Sequence, residues 1–167
     1  DSFFVTQNIF LEKMVSTVKY SFSRKDIIQV IENYFGIKKT AKYYVILSPL
    51  LHSGGFAIER TDKNELYALI GPGGVKDSFP EFDKVYLEQD MVIHEFSHNY
   101  SNAIVEQFMT ETKKFENLLF PAIKEKVKQE GYATWESFMI ELIVRATTIR
   151  IVENIYGKEV ATELTDY

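Results

Sequence analysis

The residues with the most chemistry in this chain are His94, Glu95 and His98, in the run Val92-Ile93-His94-Glu95-Phe96-Ser97-His98-Asn99-Tyr100. Side chains four apart lie one above the other on a helix, so both imidazoles can offer a nitrogen to one metal ion. Glu95 follows the first ligand and is turned so that its carboxylate reaches a water on that ion. The chain has three histidines and two fall in this motif. A chance HExxH is roughly a one-in-two-hundred event in a chain this long. The spacing therefore reads as a zinc site.

A catalytic zinc takes three protein ligands and leaves the fourth position to water. One extended form of the motif needs glycine at position 101 and histidine at 104, where Ser101 and Ile104 stand. His52 lies upstream in a predicted loop, so a downstream carboxylate is the better third ligand. Phe138-Met139-Ile140-Glu141-Leu142-Ile143-Val144-Arg145-Ala146 reads as a helix apolar all round and therefore buried, with Glu141 and Arg145 its only charges. A buried carboxylate must be paired or bound to a metal. Either Glu141 pairs with Arg145 and needs no ion, or it completes the zinc site with Arg145 on the substrate side. The unfinished pair of histidines favours ligation. Glu136, beside Trp135 at the helix start, is the second choice and is expected to be more exposed.

HExxH on one helix with a glutamate on a later one resembles the gluzincin zinc metallopeptidases. More narrowly, His94-Glu95-Phe96-Ser97-His98 with Asn102 resembles an uncharacterised bacterial family of gluzincin-like domains, and Glu141-Leu142-Ile143-Val144-Arg145-Ala146 resembles its second block. The resemblance implies a zincin-like peptidase fold, often found in secreted or cell-envelope proteins. It also implies that the long stretch between His98 and Glu141 carries an inserted helical excursion over 111–130.

The elements that must position these residues follow from periodicity and punctuation. Phe3 to Tyr20 is predicted helical, with Ile9, Phe10, Met14, Val15 and Val18 close to a 3.6 period. Ser23 as N-cap opens a second helix that Gly36 closes. Tyr43 to Leu47 is strand-like, and Phe56–Arg60 and Glu65–Ile70 flank the turn Thr61-Asp62-Lys63-Asn64. Gly54 and Gly55 mark a bulge, a close backbone approach by a ligand, or simply a loop, and Gly71-Pro72-Gly73-Gly74 a flexible turn. The motif helix carries a stripe of Val92, Ile93, Phe96, Tyr100, Ala103 and Ile104. Glu111 to Gln129 is helical, with Phe115, Leu118, Leu119, Ile123 and Val127 on one side and a break at Pro121. Thr134 caps the last long helix and Gly157 ends it. The expected fold is α+β: one mainly helical domain over 1–167, with a small antiparallel sheet before the HExxH helix.

Composition narrows the partners. With 167 residues, 46% hydrophobic and 14% aromatic, the chain can bury a real core. A net charge of −5 with no basic face argues against nucleic acid. No apolar run reaches the roughly 20 residues of a membrane span. There is no cysteine, which removes thiolate chemistry and cysteine-ligated zinc. The start at Asp1 reads as a mature form or an excised domain of a longer protein.

The expected activity is peptide-bond hydrolysis. Glu95 is the general base on a zinc-bound water, and Arg145, Tyr132 and His52 are candidate oxyanion donors. Gly55, Phe56 and Ala57 are expected to bind substrate, at the start of an edge strand along which an extended peptide lies. The alternative is a non-catalytic, zinc-stabilised module of a larger surface protein.

Overall fold

Leu66, Ala68 and Ile70 alternate with Glu65, Tyr67 and Leu69, and a period of two sends one set to each face of a strand. In the computed structural model, which describes residues 2–19 and 26–166, this run is the central strand β3 (Glu65–Ile70). Its first set is fully buried. β1 (Lys42–Leu47) and β2 (Gly55–Arg60) flank it in the order β1-β3-β2. The sheet is mixed, not antiparallel as expected: β1 runs parallel to β3 (Tyr43 opposite Leu66), while β2 pairs antiparallel with it (Phe56 opposite Leu69). The reason is the 48–54 connection, which carries the chain to the far side of the position β3 will take. β2 then turns back through 61–64 and becomes an edge.

A second hairpin, β4 (Gly74–Lys76) and β5 (Phe79–Glu81), follows. Asp77 and Ser78 turn it with positive φ, and Gly74 belongs to its first arm rather than to a flexible turn.

Helices cover the inner face of the sheet. A short turn, α3 (Lys84–Tyr86), runs through a π-helical turn at Leu87–Met91 into α4 (Val92–Gln107), the HExxH helix. α4 buries Val92, Ile93, Phe96 and Tyr100 against β3 and α2 (Ile27–Phe35). Ala103 and Ile104, expected in that stripe, are exposed; the buried line runs through Ser97, Ser101 and Val105 instead. Asp26 caps α2 by accepting from the Gln29 N–H at 3.0 Å, and the Ser23 cap lies outside the described residues. In α1 (Ser2–Val18), Met14 and Val18 reach the core, but Ile9 and Val15 face solvent.

The excursion after α4 comprises α5 (Met109–Thr112), a 3-10 turn (Lys113–Phe115) and α6 (Glu116–Gln129). Pro121 does not break α6. It forgoes one hydrogen bond to the residue four back, near the helix start, and the chain bends instead at the 3-10 turn. Phe115, Leu118 and Leu119 are exposed, because α6 turns Phe120 and Val127 towards Trp135 in a small core of its own.

α7 (Trp135–Tyr156) begins with a Thr134–Ser137 capping box and ends at Gly157, before α8 (Lys158–Glu163). It is not buried all round. Glu141, Val144, Thr148, Ile151 and Val152 form a line at helical spacing against α4, while Leu142 is exposed. No described helix is long and apolar enough to cross a membrane.

One polar chain ties α4 to the sheet. The Tyr43 and Tyr100 hydroxyls are 2.6 Å apart, and the Tyr43 hydroxyl donates to Glu32 at 3.3 Å. Burial first, then the bond to Tyr43, push the Tyr100 phenol far above its ordinary 10.0. The unfolded chain ionises first, so this contribution is complete below pH 10 and is lost as pH rises beyond it. Tyr100→Phe should lower the unfolding free energy by about 1 kcal/mol at pH 7 and soften the decline above pH 10. Urea titration checks this; an unchanged midpoint would show that the phenol contributes nothing.

Candidate metal centre

On the face of α4 opposite the core, His94 and His98 stand one turn apart, with their Nε2 atoms 3.3 Å from each other. α7 crosses here and brings Glu141 to the pair. Its Oε1 lies 3.6 Å from His94 Nε2 and its Oε2 3.8 Å from His98 Nε2. Metal–ligand bonds of 2.0–2.1 Å in a tetrahedron set donor atoms roughly 3.3 Å apart. Two imidazole nitrogens and a carboxylate at these spacings fit one ion. His94, His98 and Glu141 thus form a largely buried group, its donor atoms all within 4.8 Å, that can hold a metal.

The surroundings fix each donor. His98 Nδ1 lies 3.0 Å from Asn102 Oδ1. With the ring proton on Nδ1, that amide oxygen accepts it and Nε2 keeps its lone pair for an ion. Glu141 Oε1 accepts from Arg145 Nε at 2.7 Å. Burial alone would raise the Glu141 carboxyl, but the His94 hydrogen bond and charge, then Arg145 and Tyr132, hold it down at about 2. Burial lowers His98, whereas for His94 the Glu141 carboxylate outweighs burial and raises it. The two sequence accounts of Glu141 therefore coexist: it is ion-paired with Arg145 and it also faces both histidines. Glu136, the second choice, is exposed at the start of α7 and is not in the group.

Glu95 is 3% exposed and is pushed up to about 7, chiefly by burial, with His94 pulling the other way. Its seclusion comes from β2. A Cβ built on Gly55 would meet Glu95 Oε1 at 2.6 Å and its Cγ at 2.9 Å, so the strand backbone lies directly against the carboxylate. The close approach at that glycine is thus made by the protein's own Glu95 and not, as expected, by a ligand. The neighbouring Gly54 N–H donates to the Tyr86 hydroxyl at 2.8 Å, which anchors the start of β2.

These residues share a cleft of about 820 Å³. Gly55, Phe56 and Ala57 line it, although the Phe56 ring is half-exposed and packs edge-on to His52. The Gly71 N–H donates to the Gly54 carbonyl at 2.9 Å, so that pair is of the hydrogen-bonded kind. Antiparallel alternation then turns the N–H and C=O of Gly55 and Ala57 away from β3, to the free edge. Arg145 and Tyr132 also line the cleft beside Glu141. His52 lines it too, but its Nδ1 is 2.6 Å from the Ser53 carbonyl. Asp90, which the motif does not include, is a further lining carboxylate. Burial raises it, with His94 and Arg145 opposing. Its only sequence signal is its place four residues before His94.

Fold and site together define an α+β domain, mainly helical, with a His–His–Glu group able to hold a metal ion. From 1 to 167 the chain matches the family described as domain of unknown function DUF4932, and it belongs to that family. No curated protein and no solved structure matches it.

Two outcomes follow from this geometry. His94→Ala, His98→Ala and Glu141→Ala should each lose the bound metal, Asn102→Ala should weaken it about 10–100-fold, and Glu136→Ala should leave it unchanged. Competition with a chromogenic chelator measures this, and an unaltered affinity in Glu141→Ala would leave only the ion pair with Arg145. Gly55→Ala should destabilise the fold by about 1–3 kcal/mol, because the methyl must displace Glu95 or the strand. A thermal midpoint equal to wild type would disprove the close packing.

Proposed function

We propose that this chain is a zinc-dependent peptidase of the gluzincin type. The observation that carries the reading is that the His–His–Glu group and the buried Glu95 open on one cleft, beside an unpaired strand edge. Structural zinc sites close with four protein ligands, whereas three with an open position is the catalytic arrangement. The two-imidazole, one-carboxylate donor set fits zinc.

His94, His98 and Glu141 would hold the zinc, which would supply Lewis-acid polarisation of the scissile carbonyl and lower the pKa of water towards ~7. The rest is the work of the chain's own groups. An extended peptide adds to the free edge of β2 through the backbone of Gly55 and Ala57. Glu95 accepts the proton of the attacking water and passes it to the amine nitrogen as the C–N bond breaks. Gly55 keeps that carboxylate dry and in place. Arg145 has its Nε committed to Glu141. The remaining guanidinium N–H groups are the donors for the carbonyl oxygen as it gains charge, while the Tyr132 phenol, bonded to Glu141, helps to hold that pair in place.

Glu95→Gln tests this without disturbing the ligands, since the amide retains size and hydrogen bonding but cannot shuttle a proton. Zinc content should persist while hydrolysis of a mixed peptide library falls by about 10²–10⁴-fold. Wild-type protein with full zinc and no cleavage of any peptide would instead favour a zinc-stabilised module. Equal cleavage by both proteins would remove Glu95 from the chemistry.

A further inference from the structure

The cleft continues past the metal group towards the π-turn. Its lining also includes Met91, Thr148, Ile149, Leu164 and Thr165, together with the carboxylate of Asp90. The Thr148 hydroxyl is buried and spent on the Val144 carbonyl at 2.9 Å, so it offers the recess no donor. Arg145, whose Nε is bonded to Glu141 at 2.7 Å, and His94 act on Asp90 through charge alone and give it no hydrogen bond. Among the described residues no donor lies within hydrogen-bond reach of the Asp90 carboxylate. A half-buried carboxylate that receives no hydrogen bond is costly unless a ligand brings the missing donors.

The geometry points to Asp90 as a specificity residue that receives the ammonium group of a peptide substrate beside the scissile bond. The inference rests on the peptidase reading of this cleft and names the substrate class: peptides with an alkylammonium close to the cleaved bond. The register agrees. Asp90 precedes His94 by four residues, or about 6 Å along the helix axis. Extended peptide advances about 3.3 Å per residue, so the ammonium belongs within two residues of the scissile carbonyl. Two sources meet that description, a free α-amine and a lysine side chain. Both carry three N–H donors, as an acceptor-only carboxylate requires. The side chains of Met91, Ile149 and Leu164 suit the aliphatic stem of a lysine or the first side chain beside a free α-amine.

Binding and turnover are measured separately. Zinc-loaded Glu95→Gln protein is titrated calorimetrically with alanine-based octapeptides bearing one lysine or one norleucine at successive positions, each N-acetylated or with a free amine. Peptides with an ammonium should bind roughly 10–100-fold more tightly than their uncharged counterparts. Adding Asp90→Asn should abolish that preference while metal content and thermal midpoint stay at their Glu95→Gln values. A preference that follows lysine identifies the side chain as the source, and one lost on acetylation identifies the α-amine. Equal affinity for charged and uncharged peptides, a preference that survives Asp90→Asn, or no binding by any peptide would overturn the assignment. Ammonium-selective binding without hydrolysis by wild type would retain Asp90 and remove the peptidase reading. Hydrolysis indifferent to Asp90→Asn would do the reverse.

Discussion

The structure turns on the burial of one carboxylate where two helices cross. Glu141 is 6% exposed, and an ion so placed must be answered by hydrogen bonds or opposite charge. Arg145 on its own helix and two imidazoles on α4 give that answer, and each has a definite place. α4 is held in turn by its apolar face against β3 and by the tyrosine pair that joins it to β1. The polar cluster is therefore positioned from outside, by a core that shares none of its chemistry.

Seclusion of Glu95 is a separate device. The carboxylate lies between its own helix and the first residue of β2, and a side chain at that residue would occupy its space. The same strand leaves its other edge open to the cleft. One backbone segment thus shields a titratable group on one side and offers hydrogen bonds on the other. Both uses require the strand to be an edge, which follows from the mixed sheet order.

Much of this was legible in the sequence because it is local. HExxH states its own geometry once a helix is assumed, and a glutamate in an apolar helix announces a buried charge. Strand limits at Glu65 and Ile70, and the caps at Thr134 and Gly157, follow from side-chain chemistry over a few residues. What stayed hidden depends on contacts far along the chain. Parallel pairing of β1 with β3 is decided by where the 48–54 connection goes, which no residue in it encodes alone. Leu142 and Leu118 are apolar but exposed, since helix orientation and not hydrophobicity chose which face was covered. The role of Gly55 needs a partner forty residues later. Asp90 was missed because a π-turn leaves no periodicity to read.

That π-turn also divides the chain into segments of unequal tolerance to insertion and deletion. In it the Val92 N–H reaches back five residues to the Leu87 carbonyl, so one extra residue is accommodated within a helical path. Removing a residue there would restore an ordinary helix but rotate everything upstream by about 100° about the axis. Tyr86 would swing away from Gly54, and β2 would lose its anchor. The α5–α6 excursion behaves oppositely. It packs on the first turns of α7 through Phe120, Ile123 and Val127, in a small core separate from the one at the helix crossing, so its length can change with the crossing of α4 and α7 undisturbed. Related chains are thus free to differ in length by whole helices between the second histidine and the glutamate, yet are held to the residue just before the first.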